Sequence, residues 1–404
     1  MQPLQACRHL CPKGGTASLT HAAAFPPCMP VLRYVNLSGT AIGDAIIASL
    51  PRNLQVLDIL NCTSVTPAVR LDHLVKLMTL KSSGTNLAPA TLAACRARGC
   101  DAPADGTLRG HGSNKVISLA VLPDGTLASG DASGTVRLWA AGDDDSYYAI
   151  GDGLTGHGGE VRALVALRDG HHLAVGVLER WYYTRDRVII WDLRDMPPTR
   201  ATTIAFDSGV TALAQLAGDH LAAGCNEGSI HVVDSAAGVV TGAIMAGHTA
   251  GVTALAVLRD GTTLASGSTD RTVRLWDVGA RTCVATLTGH TDVVTALAVT
   301  ADGRLASGSL IDSVRLWDTT SRTCTSVLRS SFHFTALAVL SNGALVGGSS
   351  TYIDVRNTPD DWRNGRLLYG HTDTVTALVA LPGNRLASAS EDGTVRLWQL
   401  PQSR

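Results

Sequence analysis

The stretch GHTAGVTALAVLRDGTTLASGSTDRTVRLWD, residues 247–277, decides the fold. Val252-Thr253-Ala254-Leu255-Ala256-Val257 is a run of strand-forming and small residues, and Asp260-Gly261 is a hairpin turn. Leu264-Ala265-Ser266-Gly267 reads as the next strand, and Val273-Arg274-Leu275-Trp276 alternates as a third. A fourth follows at Cys283-Val284-Ala285-Thr286-Leu287. Such a four-stranded sheet is apolar on both faces and has no stability by itself.

The same unit recurs on both sides of this stretch. Gly289-His290 leads to Leu305-Ala306-Ser307-Gly308 and on to Val314-Arg315-Leu316-Trp317-Asp318. Gly370-His371 leads to Leu386-Ala387-Ser388 and to Val395-Arg396-Leu397-Trp398. Gly110-His111 runs to Trp139, and Gly156-His157 runs to Trp191-Asp192. Two weaker copies lack the Gly-His pair, one around Val210-Thr211-Ala212-Leu213 and one around Phe334-Thr335-Ala336-Leu337. The Trp-equivalent positions 139, 191, 233, 276, 317, 356 and 398 are 39 to 52 residues apart, which makes seven units. Blades packed side by side around an axis bury both faces of every sheet.

This pattern resembles the WD40 repeat family over roughly residues 104–400: the period, the Gly-His, the Asp-Gly turn and the Trp-Asp recur together. The resemblance implies an all-β seven-bladed propeller. It also implies that Thr107-Leu108-Arg109 supplies the missing fourth strand of the last blade and so closes the ring without an open edge. Carried over position by position, His248, Ser266, Asp270 and Trp276 form one complete structural network, and His371, Ser388, Asp392 and Trp398 form another. Ser133 stands at the aspartate position of the first blade, and Asp312 is displaced by one residue in the fifth. The histidines are read as buried polar groups satisfied within each blade, with no catalytic or metal role.

The first hundred residues carry a different repeat. Leu32-x-x-Val35-x-Leu37, Leu54-x-x-Leu57-x-Ile59 and Leu77-x-x-Leu80-x-Ser82 begin 22 and 23 residues apart. They resemble leucine-rich repeats, which implies a strand and a helix per unit, with candidate helices at Gly43–Leu50, Pro67–Leu74 and Pro89–Arg98. The expected organisation is therefore a degenerate N-terminus at 1–30, a small α/β leucine-rich-repeat segment at 31–98, a linker at 99–106 and the propeller at 107–400. Residues 1–100 hold nine Lys and Arg against three acids, and the remainder holds 24 against 31. Both surfaces read as solvated. Six of the nine cysteines also fall in the first hundred residues. Neither Cys7, His9 and Cys11 nor the pair Cys95 and Cys100 has paired C-x-x-C spacing, so free thiols are expected and no metal or cofactor.

A net charge of −1 argues against a partner held through nucleic-acid phosphates. No apolar run is long enough to span a membrane, and residues 1–20 lack the core of a secretory signal. The expected setting is cytoplasmic, with the nucleus as a second compartment, and the chain is expected to be monomeric outside its complexes.

No phosphate loop, nucleophile elbow or catalytic cluster is present in the sequence, so the protein is expected to be no enzyme and to act through its surfaces. The resemblance implies that the Gly-His loops and the loops between second and third strands share one face, which binds peptides and proteins. Blade two has an expanded loop on that face, with Trp181, Tyr182, Tyr183 and Arg185. Three of the chain's 18 aromatic residues are consecutive there, and Trp, Tyr and Arg are enriched at binding hot spots. Lys115, Glu160, Arg162 and His333 align with first-strand positions that point to the same face.

The expected function is a protein-protein interaction scaffold or adaptor. Two alternatives stand beside it. Trp191-Asp192-Leu193-Arg194 resembles the W-D-x-R ending of substrate receptors in cullin-type ubiquitin ligases, with Arg194 as the adaptor contact. The combination of leucine-rich and WD40 repeats also fits a nuclear reader of histone peptides.

Overall fold

The computed structural model describes residues 106–400 apart from 142–146, 180–185, 195–196, 312, 330–332 and 358–364, together with scattered positions between 34 and 95. Two compact units divide the chain at Asp105/Gly106.

The second unit is a ring of seven antiparallel four-stranded sheets. Blade 1 begins with the strand Val116–Val121 and blade 7 with Val375–Leu381. Six blades take their four strands from consecutive sequence. In blade 7 the outermost strand is Gly106–Arg109, which pairs antiparallel with Thr394–Gln399 in the register Thr394↔Arg109 and Val395↔Leu108. The first strand of the ring thus locks the last blade, as the resemblance implied.

Burial follows position within the blade. The second strands, such as Leu305–Ser309 and Leu127–Asp131, are buried at every residue because both of their faces meet a neighbouring sheet. The outermost strands, such as Thr282–Leu287, are largely exposed.

The seam between blades explains the composition of the repeat. Each first strand opens with a fully buried valine (Val161, Val210, Val252 and Val294 among them), replaced by Phe334 in blade 6. At six of the seven seams the side chain of that residue projects against a second-strand glycine of the preceding blade; at the seventh, blade 7 has Ala389 at the glycine position and it clusters with Val116. A Cβ on Gly267 would lie 2.6 Å from Val294 Cγ1, and one on Gly224 would lie 2.6 Å from Val252 Cγ1. A side chain added at either of these two glycines would push the blades apart.

The carbonyl of the same valine is held as well. Thr211 Oγ1 donates to the Val252 carbonyl at 2.5 Å, Thr253 to Val294, Thr295 to Phe334 at 2.5 Å, Thr335 to Val375, and Thr376 to Val116 at 2.6 Å. Thr211, Thr253, Thr295 and Thr376 sit where the first strand slips register against the second. That bulge leaves them outside the ladder and free to reach across the seam.

Within blades, a relay ties the Gly-His loop to the third strand. Trp276 Nε1 donates to Ser266 Oγ at 2.8 Å, Ser266 lies 2.7 Å from His248 Nε2, and His248 Nδ1 lies 2.7 Å from Asp270. Blade 7 repeats this with Trp398, Ser388, His371 and Asp392. In blade 1 the aspartate is Asp131, two residues before Ser133. It lies 2.7 Å from His111 Nδ1 and accepts from the Ser133 hydroxyl at 2.7 Å. Ser133 therefore supports the carboxylate that stands in for it. Blade 2 drops the serine: Trp191 Nε1 donates directly to His157 Nε2 at 3.0 Å, and His157 Nδ1 donates to the Gly134 carbonyl of blade 1. Asp312 lies outside the described residues.

The first unit contains a parallel three-stranded sheet, Tyr34–Asn36, Val56–Asp58 and Thr79–Lys81. Val35 is in register with Leu57, and Leu57 with Leu80. Leu37, Ile42, Ile47, Leu57 and Leu80 belong to one core. Asp44–Ala48 is the helix expected at 43–50. The helix expected at 67–74 is corrected. Positions 68, 72 and 73 are turns, and Val69 N→Thr66 O and Leu74 N→Leu71 O close tight three-residue turns that bury Val69, Leu71 and Leu74. Residues 91, 94 and 95 are helical within the third expected helix. No helix among the described residues is long and apolar enough to cross a membrane.

Removing one seam hydroxyl while keeping side-chain shape isolates its contribution. Thr253→Val is expected to destabilise the propeller by about 1 kcal/mol. Urea unfolding of the full chain measures it, and an unchanged midpoint would show that the seam hydroxyls carry no stability.

Candidate functional site

The repeated seam threonine is missing from two neighbouring blades. At its position blade 1 has Ile117 and blade 2 has Arg162. Blade 1 recovers the bond from the next residue, since Ser118 Oγ donates to the Val161 carbonyl at 2.9 Å. Blade 2 follows Arg162 with Ala163 and has no hydroxyl at either position.

Both departures line a pocket of about 700 Å³. It is framed by Ser113, Asn114 and Lys115 from the Gly-His loop of blade 1 and by Ala132 and Ser133 from the next turn of that blade. Gly158, Gly159 and Glu160 enter from blade 2, and Thr376 and Glu391 from blade 7. These are the loops of the face that the sequence singled out. Three of its candidate residues, Lys115, Glu160 and Arg162, converge here.

Two ion pairs set the electrostatics. Arg162 Nη2 lies 2.6 Å from Glu160, whose side chain is only 7% exposed against 37% for the arginine. Lys115 Nζ lies 2.5 Å from Glu391, and both ends are open to solvent, at 55% and 31%. The first pair orients the guanidinium through its buried end and leaves its other edge toward the pocket. The second is a mobile rim pair of small energetic weight.

The other candidates lie elsewhere. His333 Nδ1 bonds the Leu310 carbonyl of blade 5 and is not part of the pocket lining. Arg194 follows the third strand of blade 2, on the side of the His171-His172 turn, where Leu193 N bonds the His171 carbonyl. Its Nη2 lies 2.5 Å from Asp192, and its side chain is 60% exposed. The hydrogen bonds from Arg194 hold the Asp192 carboxyl well below the usual carboxylate range. Trp181, Tyr182, Tyr183 and Arg185 lie outside the described residues.

The sequence reading missed Ile117, Thr376 and Glu391. Ile117 was detectable by aligning the seven residues that follow the seam position, where five threonines make Ile117 and Arg162 stand out, whereas Thr376 is one of the five. Glu391 carries no such mark, because it meets Lys115 only through ring closure, 276 residues away.

The histidines of the blade relays have no route to chemistry. Burial lowers the pKa of His248, His371 and His157; Asp270 and Asp392 oppose this at the first two, and the Gly134 carbonyl at the third. Burial raises the Asp270 carboxyl, but hydrogen bonds from Thr272, His248 and two backbone amides outweigh it and hold the group at about 2. Neutral imidazoles closed in by serine, tryptophan and carboxylate are structural.

Comparison with known proteins agrees with this architecture. The family model described as "WD domain, G-beta repeat" matches residues 105–140, 240–277, 281–318 and 362–399. Four of the seven blades carry WD40 repeats. The four matched segments hold the first three strands of blades 1, 4, 5 and 7, those with Gly-His, serine and tryptophan all in place. WD repeat-containing protein 18 of Mus musculus is 40% identical over 96 residues, covering 21% of this chain and 22% of that protein. The Homo sapiens protein of the same name is 37% identical over 100 residues, with the same coverage. The matched stretch spans about a fifth of the length of these relatives.

The WD40 relays make stability depend on pH. A buried histidine whose folded pKa lies below its ordinary 6.5 favours folding fully above that value, and the contribution is lost as pH falls. Asp270, at about 2 when folded against an ordinary 3.8, contributes above about 4 and is lost toward 2. The melting temperature is therefore expected to fall in two stages on acidification, first below about 6.5 and again between about 4 and 2. Circular dichroism melts across this range check it, and a flat profile would contradict the assignment.

Proposed function

We propose that this protein is a non-catalytic interaction scaffold that binds a protein or peptide partner on the propeller face formed by blades 7, 1 and 2. The observation that carries the reading is the replacement of a five-fold repeated seam threonine by Ile117 and Arg162, both lining one pocket. Arg162 gives up an inter-blade hydrogen bond and offers in its place a half-exposed guanidinium oriented by Glu160. A residue placed only for stability would have kept the hydroxyl. Arginine is among the residues enriched at interface hot spots, and an apolar neighbour such as Ile117 excludes water from the contact.

WD40 propellers generally work as non-catalytic platforms for proteins and peptides, and the relatives carry WD repeats in their names. The parallel strands at 22- and 23-residue offsets support a leucine-rich-repeat reading of residues 31–98. On that reading the first unit is a second contact surface, and two linked sites raise effective concentration for a shared partner. The resemblance to WD40 repeats implies that Trp181, Tyr182 and Tyr183 lie on the same face, and we include them in the proposed surface. Arg194 pairs with Asp192 at the other end of blade 2 and is 60% exposed, and the ligase-receptor alternative rests on the W-D-x-R resemblance alone.

The test converts Glu160-Val161-Arg162 into the sequence of blade 7 at the same positions, Thr374-Val375-Thr376, by the double substitution Glu160→Thr and Arg162→Thr. This removes the buried ion pair as a unit and restores the seam threonine. The variant is expected to melt at or above the wild-type temperature while losing a partner identified by quantitative pull-down and mass spectrometry. A folded variant that retains every wild-type partner would overturn the reading.

A further inference from the structure

Blade 3 has lost the histidine relay. Phe206 stands where blade 4 has His248, and Val233 stands where blade 4 has Trp276. The polar positions that serve the relay in blade 4, Ser268, Asp270, Thr272 and Arg274, are filled in blade 3 by Cys225, Glu227, Ser229 and His231. These four alternate along one hairpin, with Cys225 N bonded to the Ser229 carbonyl and Ala223 opposite His231. Alternation along paired strands puts the three strand side chains on one side of the sheet, with Glu227 at the turn.

The donor atoms of Cys225, Glu227 and His231 all lie within 4.8 Å of one another. The inward nitrogen of the histidine is Nε2, 4.0 Å from Glu227 Oε1. The Ser229 hydroxyl sits between them, bonded to Glu227 and 2.9 Å from Nε2. Phe206 packs edge-on to the imidazole, with centroids 5.5 Å apart, and fixes its plane. Donors around a tetrahedral zinc ion are about 3.3–3.7 Å apart, so small side-chain rotations close the set.

We propose that Cys225, Glu227 and His231 form a binding site for a divalent transition metal of the zinc class. Sulfur, imidazole nitrogen and carboxylate oxygen are the donor types that zinc takes, and three protein donors leave a fourth position for Ser229 or water. The charge around the site favours a cation. Asp207 acts on His231, and Asp186 and Glu227 act on Cys225. Arg187, on the third strand of blade 2, pairs with Glu179.

The experiment titrates metal-free, reduced full-length protein with Co²⁺ and reads the thiolate-to-cobalt charge-transfer band, with Zn²⁺ displacement following. The wild type is expected to bind one more equivalent than Cys225→Ala or His231→Ala. Cys283→Ser, on an outermost strand, should leave the band intact. Glu227 is largely exposed, so Glu227→Gln keeps the fold and should weaken Zn²⁺ at least tenfold. Absence of the band in the wild type would overturn the proposal. So would equal binding by the wild type and Glu227→Gln, or a band that survives in folded Cys225→Ala.

Discussion

The seam between neighbouring blades is the constraint on which the rest of the structure depends. One residue at the start of each first strand is held twice. At six of the seven seams its side chain projects against a second-strand glycine of the preceding blade, and in six blades its carbonyl accepts a hydroxyl from the first strand of the preceding blade, five times from threonine and once from Ser118. Neither device acts within a blade. A sheet with two apolar faces gains its stability only when the next sheet arrives, so the seam converts seven marginal units into one cooperative ring. Pairing of Gly106–Arg109 with Thr394–Gln399 then gives the last blade its fourth strand and ties the two ends of the ring together.

A constraint repeated seven times makes its exceptions informative. Five threonines define what the ring needs at the bulge, so Ile117 and Arg162 must be explained by something else. Their neighbourhood supplies it: one concave site on one face, with a buried carboxylate orienting the arginine. Blade 3 makes the same point differently. Once Phe206 and Val233 replace the relay's histidine and tryptophan, the polar positions of the hairpin are released, and cysteine, glutamate and histidine occupy them. Both proposed sites thus lie where the repeat is broken, while the blades that obey it carry structure.

Most of the fold was legible because a repeat states the same rule many times. The strand order, the Asp-Gly turns and the borrowed strand at 107–109 all follow from lining up the copies. Legibility failed where geometry allows two solutions. Asp131 reaches His111 from two positions before the expected aspartate, since a turn brings either residue to the ring nitrogen. In the first unit, the segment at 67–74 has helical spacing of apolar residues, but its chain closes tight turns around Val69 and Leu74. The pocket was only half visible: Lys115, Glu160 and Arg162 were marked by alignment, while Glu391 is joined to them by ring closure alone. The aromatic residues at 181–183 lie outside the described residues, so the site rests on the seam positions instead.

Site-directed photocrosslinking in cells tests the central claim most directly. A benzophenone amino acid at Ile117 would report on the pocket, and one at Asp260, in a turn of the opposite face, would serve as the reference. The account predicts a discrete protein adduct from position 117 and none from position 260. Adducts from position 260 alone would contradict it and move the binding surface to the other side of the ring.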